Sequence, residues 1–164
     1  MKDQKITIQE RAAVIFLSFF GSGFFPKAPG TAGSVATIPL MYLIFLAEIS
    51  LLNFILATTA LTIISCFIAE YIQQKRQLHD PQWIVMDEVL GMLVTWAFIY
   101  PRFDFISCFV LFILFRFFDI VKFWPASYFD KKVTHGSGTI LDDIISGIFA
   151  GLSILLLQKF QILL

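Results

Sequence analysis

Long apolar stretches alternate with short polar breaks along this chain, and the breaks set the element boundaries. Thr7-Ile8-Gln9-Glu10 has capping-box spacing, with Thr7 as N-cap and Glu10 reaching back to it. A helix over residues 8–20 follows, apolar at Ile8, Ala12, Ile15, Phe16 and Phe19. It is too short to cross a bilayer and suited to lie at its surface. The Gly/Pro-rich stretch GSGFFPKAPGTAGS, residues 21–34, predicts no regular helix. Uncharged sequence predicts one span over 34–47 and another over 49–69, and a polar segment then runs to Asp80. Asp80-Pro81 reads as N-cap and first-turn proline of a helix over 81–100. Pro101-Arg102-Phe103-Asp104 reads as a tight turn, 105–122 as the next helix, and 140–158 as the last, beyond a polar loop.

Composition says what solvent these helices need. Of 164 residues, 58% are apolar and 15% charged, and mean hydropathy is +0.82. Soluble domains average roughly 45–50% apolar. The expected fold is a single all-α domain over residues 1–164, a multi-pass membrane helical bundle with an interfacial N-terminal helix. A very apolar soluble bundle is the alternative. Basic residues precede the first apolar run, but Asp3 and Glu10 interrupt it and no small-residue cleavage site follows, so no removable signal peptide is expected. Net charge is zero, which gives no reason to expect a nucleic-acid partner. Cys66 and Cys108 sit in apolar runs without metal-like spacing and are expected to be reduced.

Charge then orients the bundle. If residues 34–47, 49–69, 81–100, 105–118 and 140–158 cross in turn, ten of the twelve Lys and Arg residues share one side. Arg102 and Lys159 fall on the other. The positive-inside rule makes the rich side cytoplasmic. Ten of the twelve acidic residues lie there too, so the chemistry is expected to face the cytoplasm.

The acids are the unusual feature. Only 13 residues, Val89 to Pro101, and 11, Phe105 to Phe115, are free of charge in the third and fourth spans. To cross roughly 30 Å of hydrocarbon, these helices must carry Asp87, Glu88, Arg116 or Asp119 close to the membrane or into it. An acid at the centre of a membrane helix costs roughly 2.5–3.5 kcal/mol. Asp87, Gly91 and Thr95 share one helical face, as do Asp143, Gly147 and Gly151. Gly147 and Gly151 also form a GxxxG pair, which favours close helix contact. These faces are expected to pack together or around a shared cavity, bringing Asp87 and Asp143 near each other with a cation between them. Mg²⁺ suits such oxygen donors. With two histidines and no Cys/His spacing, Zn²⁺ does not.

Plainer roles remain open for several residues. Asp142 fits either a ligand or part of a helix start at Thr139, and Asp80 fits a cap. Glu88 points about 100° away from Asp87 and can serve a different partner. Asp119 has Arg116 and Lys122 at pairing distance along a helix. His79 and His135 read as solvated loop residues. In the Gly/Pro loop, Thr31 or Ser34 can begin a helix whose N-terminus favours phosphate, and Lys27 stands between Pro26 and Pro29. An ordinary membrane-entry turn explains that loop equally well. Arg116 and Lys122 are further phosphate candidates.

At these residues the sequence resembles the bacterial phosphatidylglycerophosphatase A family. The resemblance rests on Gly21 to Ser34, on His79-Asp80 with Asp87-Glu88 and Gly91, and on Phe115 to Pro125. It continues through Phe129-Asp130 and through Gly136 to Asp143 with Gly147, covering about residues 20–151. Phe123 stands where the family commonly has proline, and His135 where it has a further glycine. The resemblance implies a multi-pass, Mg²⁺-dependent enzyme of the bacterial inner membrane that converts phosphatidylglycerol phosphate to phosphatidylglycerol. It singles out Asp87, Glu88, Asp119, Asp130, Asp142 and Asp143, with Arg116 and Lys122 beside them.

The expected chemistry is metal-assisted hydrolysis. Asp87 and Asp143 would hold the metal, with Glu88, Asp119 or Asp142 as further ligand or base, and Arg116, Lys122 and Lys27 would clamp phosphate oxygens. A covalent aspartyl-phosphate is the other route. A Cys-x5-Arg phosphate loop is absent from the sequence. Competing readings are another lipid-phosphate phosphatase, acting on phosphatidic acid for example, an ion or proton transporter, and a non-catalytic membrane subunit. A transporter would distribute acids through the bilayer depth, whereas here they collect at one side.

Overall fold

The computed structural model describes residues 6–78, 81–133 and 136–160, with Asp130 and Lys131 described by backbone alone. His79, Asp80, His135 and the Asp130 side chain therefore lie outside the described residues. The helices are α1 (Ile8–Leu17), α2 (Pro29–Leu46), α3 (Leu51–Arg76), α4 (Met86–Ala97), α5 (Phe105–Val121), α6 (Ala126–Lys132) and α7 (Gly136–Lys159), with a 3-10 turn at Ser22–Phe24. No strand occurs among the described residues.

Three of these helices, α2, α3 and α7, are long and apolar enough to cross a membrane. Helix α4 does not match them: its 12 residues extend only about 18 Å at about 1.5 Å per residue. Nine of those residues are buried, because α7, α2, α3 and α5 all pack around it. The expected third span is thus an enclosed central helix. At 17 residues, α5 also falls short of a bilayer's roughly 30 Å core. Large apolar side chains such as Leu43, Leu52, Phe67 and Phe109 face outward from the surrounding helices.

Several boundaries differ from the sequence expectation, each for a local reason. Residues 29–34 are helical, since α2 starts with Pro29 in its first turn and not at Thr31 or Ser34. Gly33 there is a packing surface; a Cβ on it would lie 2.7 Å from Val85 Cβ. Helix α3 continues to Arg76, burying Ala69, Ile72 and Gln73 on one side of its polar end. Helix α4 starts at Met86 instead of Pro81, after residues 81–85 tuck under α1 through the Val85 N–H to Leu17 carbonyl bond of 2.9 Å. The loop before the last helix contains α6. Helix α7 starts at Gly136, whose N–H donates to Glu70 Oε2 at 2.6 Å. Thr139 and Asp142 are consequently inside α7, and the helix-start role for Asp142 does not hold.

The capping box of α1 is present: the Thr7 N–H donates to Glu10 Oε2 at 2.7 Å, and Thr7 Oγ1 accepts from the Glu10 N–H at 3.3 Å. Glu10 Oε1 also meets Arg76 Nε at 3.0 Å, tying α1 to the end of α3. The hydrogen bonds from Thr7, then the charges of Arg76 and Lys75, lower the Glu10 carboxyl to about 2. At the opposite end, Asp104 caps α5 by accepting from the Ser107 N–H at 3.0 Å. Trp96 stacks edge-on with Phe54 and Tyr100 close by.

Candidate active site

The acids cluster where α4 and α7 cross. Asp87 and Glu88 occupy the first turn of α4, a position where the helix dipole favours negative charge. Asp87 Oδ1 accepts from the Glu88 N–H at 3.0 Å. Asp142 and Asp143 sit in the second turn of α7, both buried. The Gly91 and Gly147 faces do pack against each other, so the helices approach closely enough to bring Asp143 to Asp87. One carboxylate oxygen each from Asp87, Glu88 and Asp143 lies within 4.8 Å of the others.

Two cations close the cluster. Helix α5 ends at Lys122 in a left-handed conformation (φ 47°), and its Nζ lies 2.5 Å from Asp142 Oδ2. Arg116 Nη1 lies 2.6 Å from Asp119 Oδ2 and 4.0 Å from Glu88 Oε1. The start of α2 forms the facing wall. Gly30 sits so near that a Cβ on it would meet Glu88 Oε1, and the Glu88 and Arg116 side chains would have to shift to admit one.

Together these groups line one cavity of about 420 Å³. Nine of the residues singled out from the sequence border it: Asp87, Glu88, Asp119, Asp142, Asp143, Lys27, Thr31, Arg116 and Lys122. The structure adds Gly30, Gln82 and Thr139. Neither Gln82 nor Thr139 carries a charge or a distinctive spacing, and only the fold puts them here. Ser34 is buried, with its hydroxyl returned to the Gly30 carbonyl at 2.9 Å, and does not line the cavity.

The wall carries five carboxylates and three cationic side chains, two formal negative charges in excess. Glu88 Oε2 is buried with no hydrogen-bond partner. An orphaned carboxylate oxygen beside two further acids fits a hard divalent cation, which binds oxygen and offsets the repulsion. Cys66 and Cys108 are free thiols elsewhere in the fold.

A family model described as Phosphatidylglycerophosphatase A matches residues 15–158. This chain belongs to the phosphatidylglycerophosphatase A family. Among its relatives, the Phosphatidylglycerophosphatase A of Haemophilus influenzae is 33% identical over 143 residues, covering 87% of this chain and 86% of the relative. That of Escherichia coli is 34% identical over 131 residues, covering 80% and 74%. No solved structure shows a significant match to this chain. The whole cavity wall falls inside the stretch that matches the phosphatidylglycerophosphatase A model.

Proposed function

We propose that this chain hydrolyses the terminal phosphate of phosphatidylglycerol phosphate, giving phosphatidylglycerol, at a divalent-metal site held by Asp87, Glu88 and Asp143. Family membership supports the substrate, and the convergence of three carboxylate oxygens within 4.8 Å beside paired cations carries the site. Bound there, Mg²⁺ would neutralise phosphate charge and lower the pKa of an attacking water.

The remaining work falls to the chain's own groups. Arg116 and Lys122 would bind phosphate oxygens, while Asp119 and Asp142 hold those cations toward the cavity. Lys27, at the exposed rim, would add a third positive charge. Gly30 and Thr31 lie in the first turn of α2, where N–H groups lack intrahelical acceptors and favour an anion. Asp119 or Asp142, whose carboxylates also border the cavity, would take the proton from the attacking water. The water oxygen then bonds to phosphorus as the bond from phosphorus to the glycerol oxygen breaks. That oxygen takes the proton back from the carboxylate, leaving phosphatidylglycerol and inorganic phosphate.

The proposed setting is the bacterial inner membrane. In it α2, α3 and α7 cross, α4 stays enclosed, α1 lies at the interface, and the cavity faces the cytoplasm. The clustering of acids and bases at the end where α3 finishes and α4 and α7 begin supports this orientation.

Phosphate release from phosphatidylglycerol phosphate in detergent micelles tests the reading. Purified protein should be active with Mg²⁺, silent in EDTA, and silent as Asp143→Asn. Undiminished release in EDTA and in that variant would overturn it.

A further inference from the structure

We propose that Thr139 is a direct donor to the substrate's phosphate and that Gln73, from outside the cavity, is the residue that aims it. Gln73 is buried on α3, near its polar end. Its Nε2 donates to Thr139 Oγ1 at 3.1 Å, across the α3–α7 contact. A hydroxyl has one proton to give and two lone pairs to accept with. Gln73 uses an accepting site, so the Thr139 proton is left for another partner.

Several buried hydroxyls spend that proton on their own helices, whereas that of half-buried Thr139 is not spent so. Thr37 donates to the Gly33 carbonyl at 2.9 Å, Thr95 to Gly91 at 2.8 Å and Ser146 to Asp142 at 3.0 Å. Among the described residues, Thr139 has no such acceptor, and it borders the cavity. It precedes Asp142 and Asp143 by three and four residues, so it shares their face of α7. The ligand that completes it is a hydrogen-bond acceptor sitting beside those acids. An oxygen of a phosphate monoester meets that description; the carboxylates there repel a free anion but not one already paired with cations.

This inference rests on the phosphatase reading above, and its test separates the two. Thr139→Val keeps the side-chain shape and removes the hydroxyl. Its kcat/KM for phosphatidylglycerol phosphate should fall about tenfold or more, the scale of one hydrogen bond to a charged group. The inhibition constant of inorganic phosphate should rise by a similar factor at unchanged thermal midpoint, which a purely structural residue would not do. Thr139→Ser should restore most of the loss. Gln73→Met should show a smaller loss in the same two quantities, because the donor remains but is no longer held. Equal kcat/KM and phosphate inhibition in wild type and Thr139→Val would overturn the proposal while wild-type activity and inactive Asp143→Asn leave the phosphatase reading standing. Should Thr139→Val not fold, Thr139→Ala against Thr139→Ser reads the same hydroxyl, and equal values for those two overturn it as well.

Discussion

Gly91 and Gly147 meet backbone to backbone, so closely that a Cβ on Gly147 would lie 2.5 Å from the Gly91 carbonyl oxygen. Thr95 stitches the contact: its hydroxyl lies 2.8 Å from the Gly91 carbonyl and 3.2 Å from that of Gly147. The crossing point is one turn from both Asp87 and Asp143. The separation of the helices and the separation of the acids are therefore one quantity.

Gly147→Ala should for that reason damage stability and activity together. A methyl group facing backbone has no flexible side chain to push aside, and overpacking of this kind costs about 1–3 kcal/mol. The thermal midpoint in detergent should fall, and phosphate release should fall further than the unfolded fraction explains. Gly21→Ala tests a different cause. Nothing lies within 4 Å of its Cβ, and any effect there comes from its φ of +96°.

Asp87→Asn and Asp143→Asn each remove one charge from the three-carboxylate cluster. Each should lower phosphate release by at least about 100-fold, the upper range for losing an oriented polar group at a reacting centre. Each should also shrink the rise in thermal midpoint that Mg²⁺ gives the wild type, since a ligand stabilises only the state that binds it. Differential scanning fluorimetry with a Mg²⁺ titration measures this without substrate.

Lys122 and Asp142 form an asymmetric pair, with side-chain exposures of 27% and 4%. Removing the lysine takes a cation away from a buried carboxylate, whereas removing the acid leaves a lysine that can reach water. Lys122→Met should thus destabilise the fold, because a buried charge loses a paired cation. Asp142→Asn should cost less, and the double variant should recover part of the lysine loss. Chemical unfolding of the three variants forms the cycle, and an additive result would remove the pair as a structural link.

The four-residue spacing of Asp87-Gly91-Thr95 and Asp143-Gly147-Gly151 made the crossing of α4 and α7 legible in the sequence, because period and small residues both report on helix contact. The Thr7–Glu10 cap was legible for the same local reason. What escaped was set by tertiary contact. Pro29 to Ser34 is helical because Gly30 and Gly33 face other elements, although their composition reads as a loop. Helix α4 is apolar through enclosure by protein, which hydropathy cannot separate from immersion in lipid. Thr139 and Gln73 are uncharged residues 66 positions apart, and only the packing of α3 on α7 relates them.

Acid should loosen α1 before the pairing of Glu10 is lost completely. The Glu10 carboxyl titrates at about 2 in the folded chain, below its ordinary value of 4.5. A lowered folded-state pKa means that the stabilisation is complete above the ordinary value and disappears as pH falls through the folded one. Wild type and Glu10→Gln should therefore differ in thermal midpoint at pH 7, converge between about 4.5 and about 2, and coincide below that. Taking the difference removes the other acids, which titrate in both proteins. A difference that stays constant down to pH 2 would mean that shape at position 10, and not charge, ties α1 to Arg76.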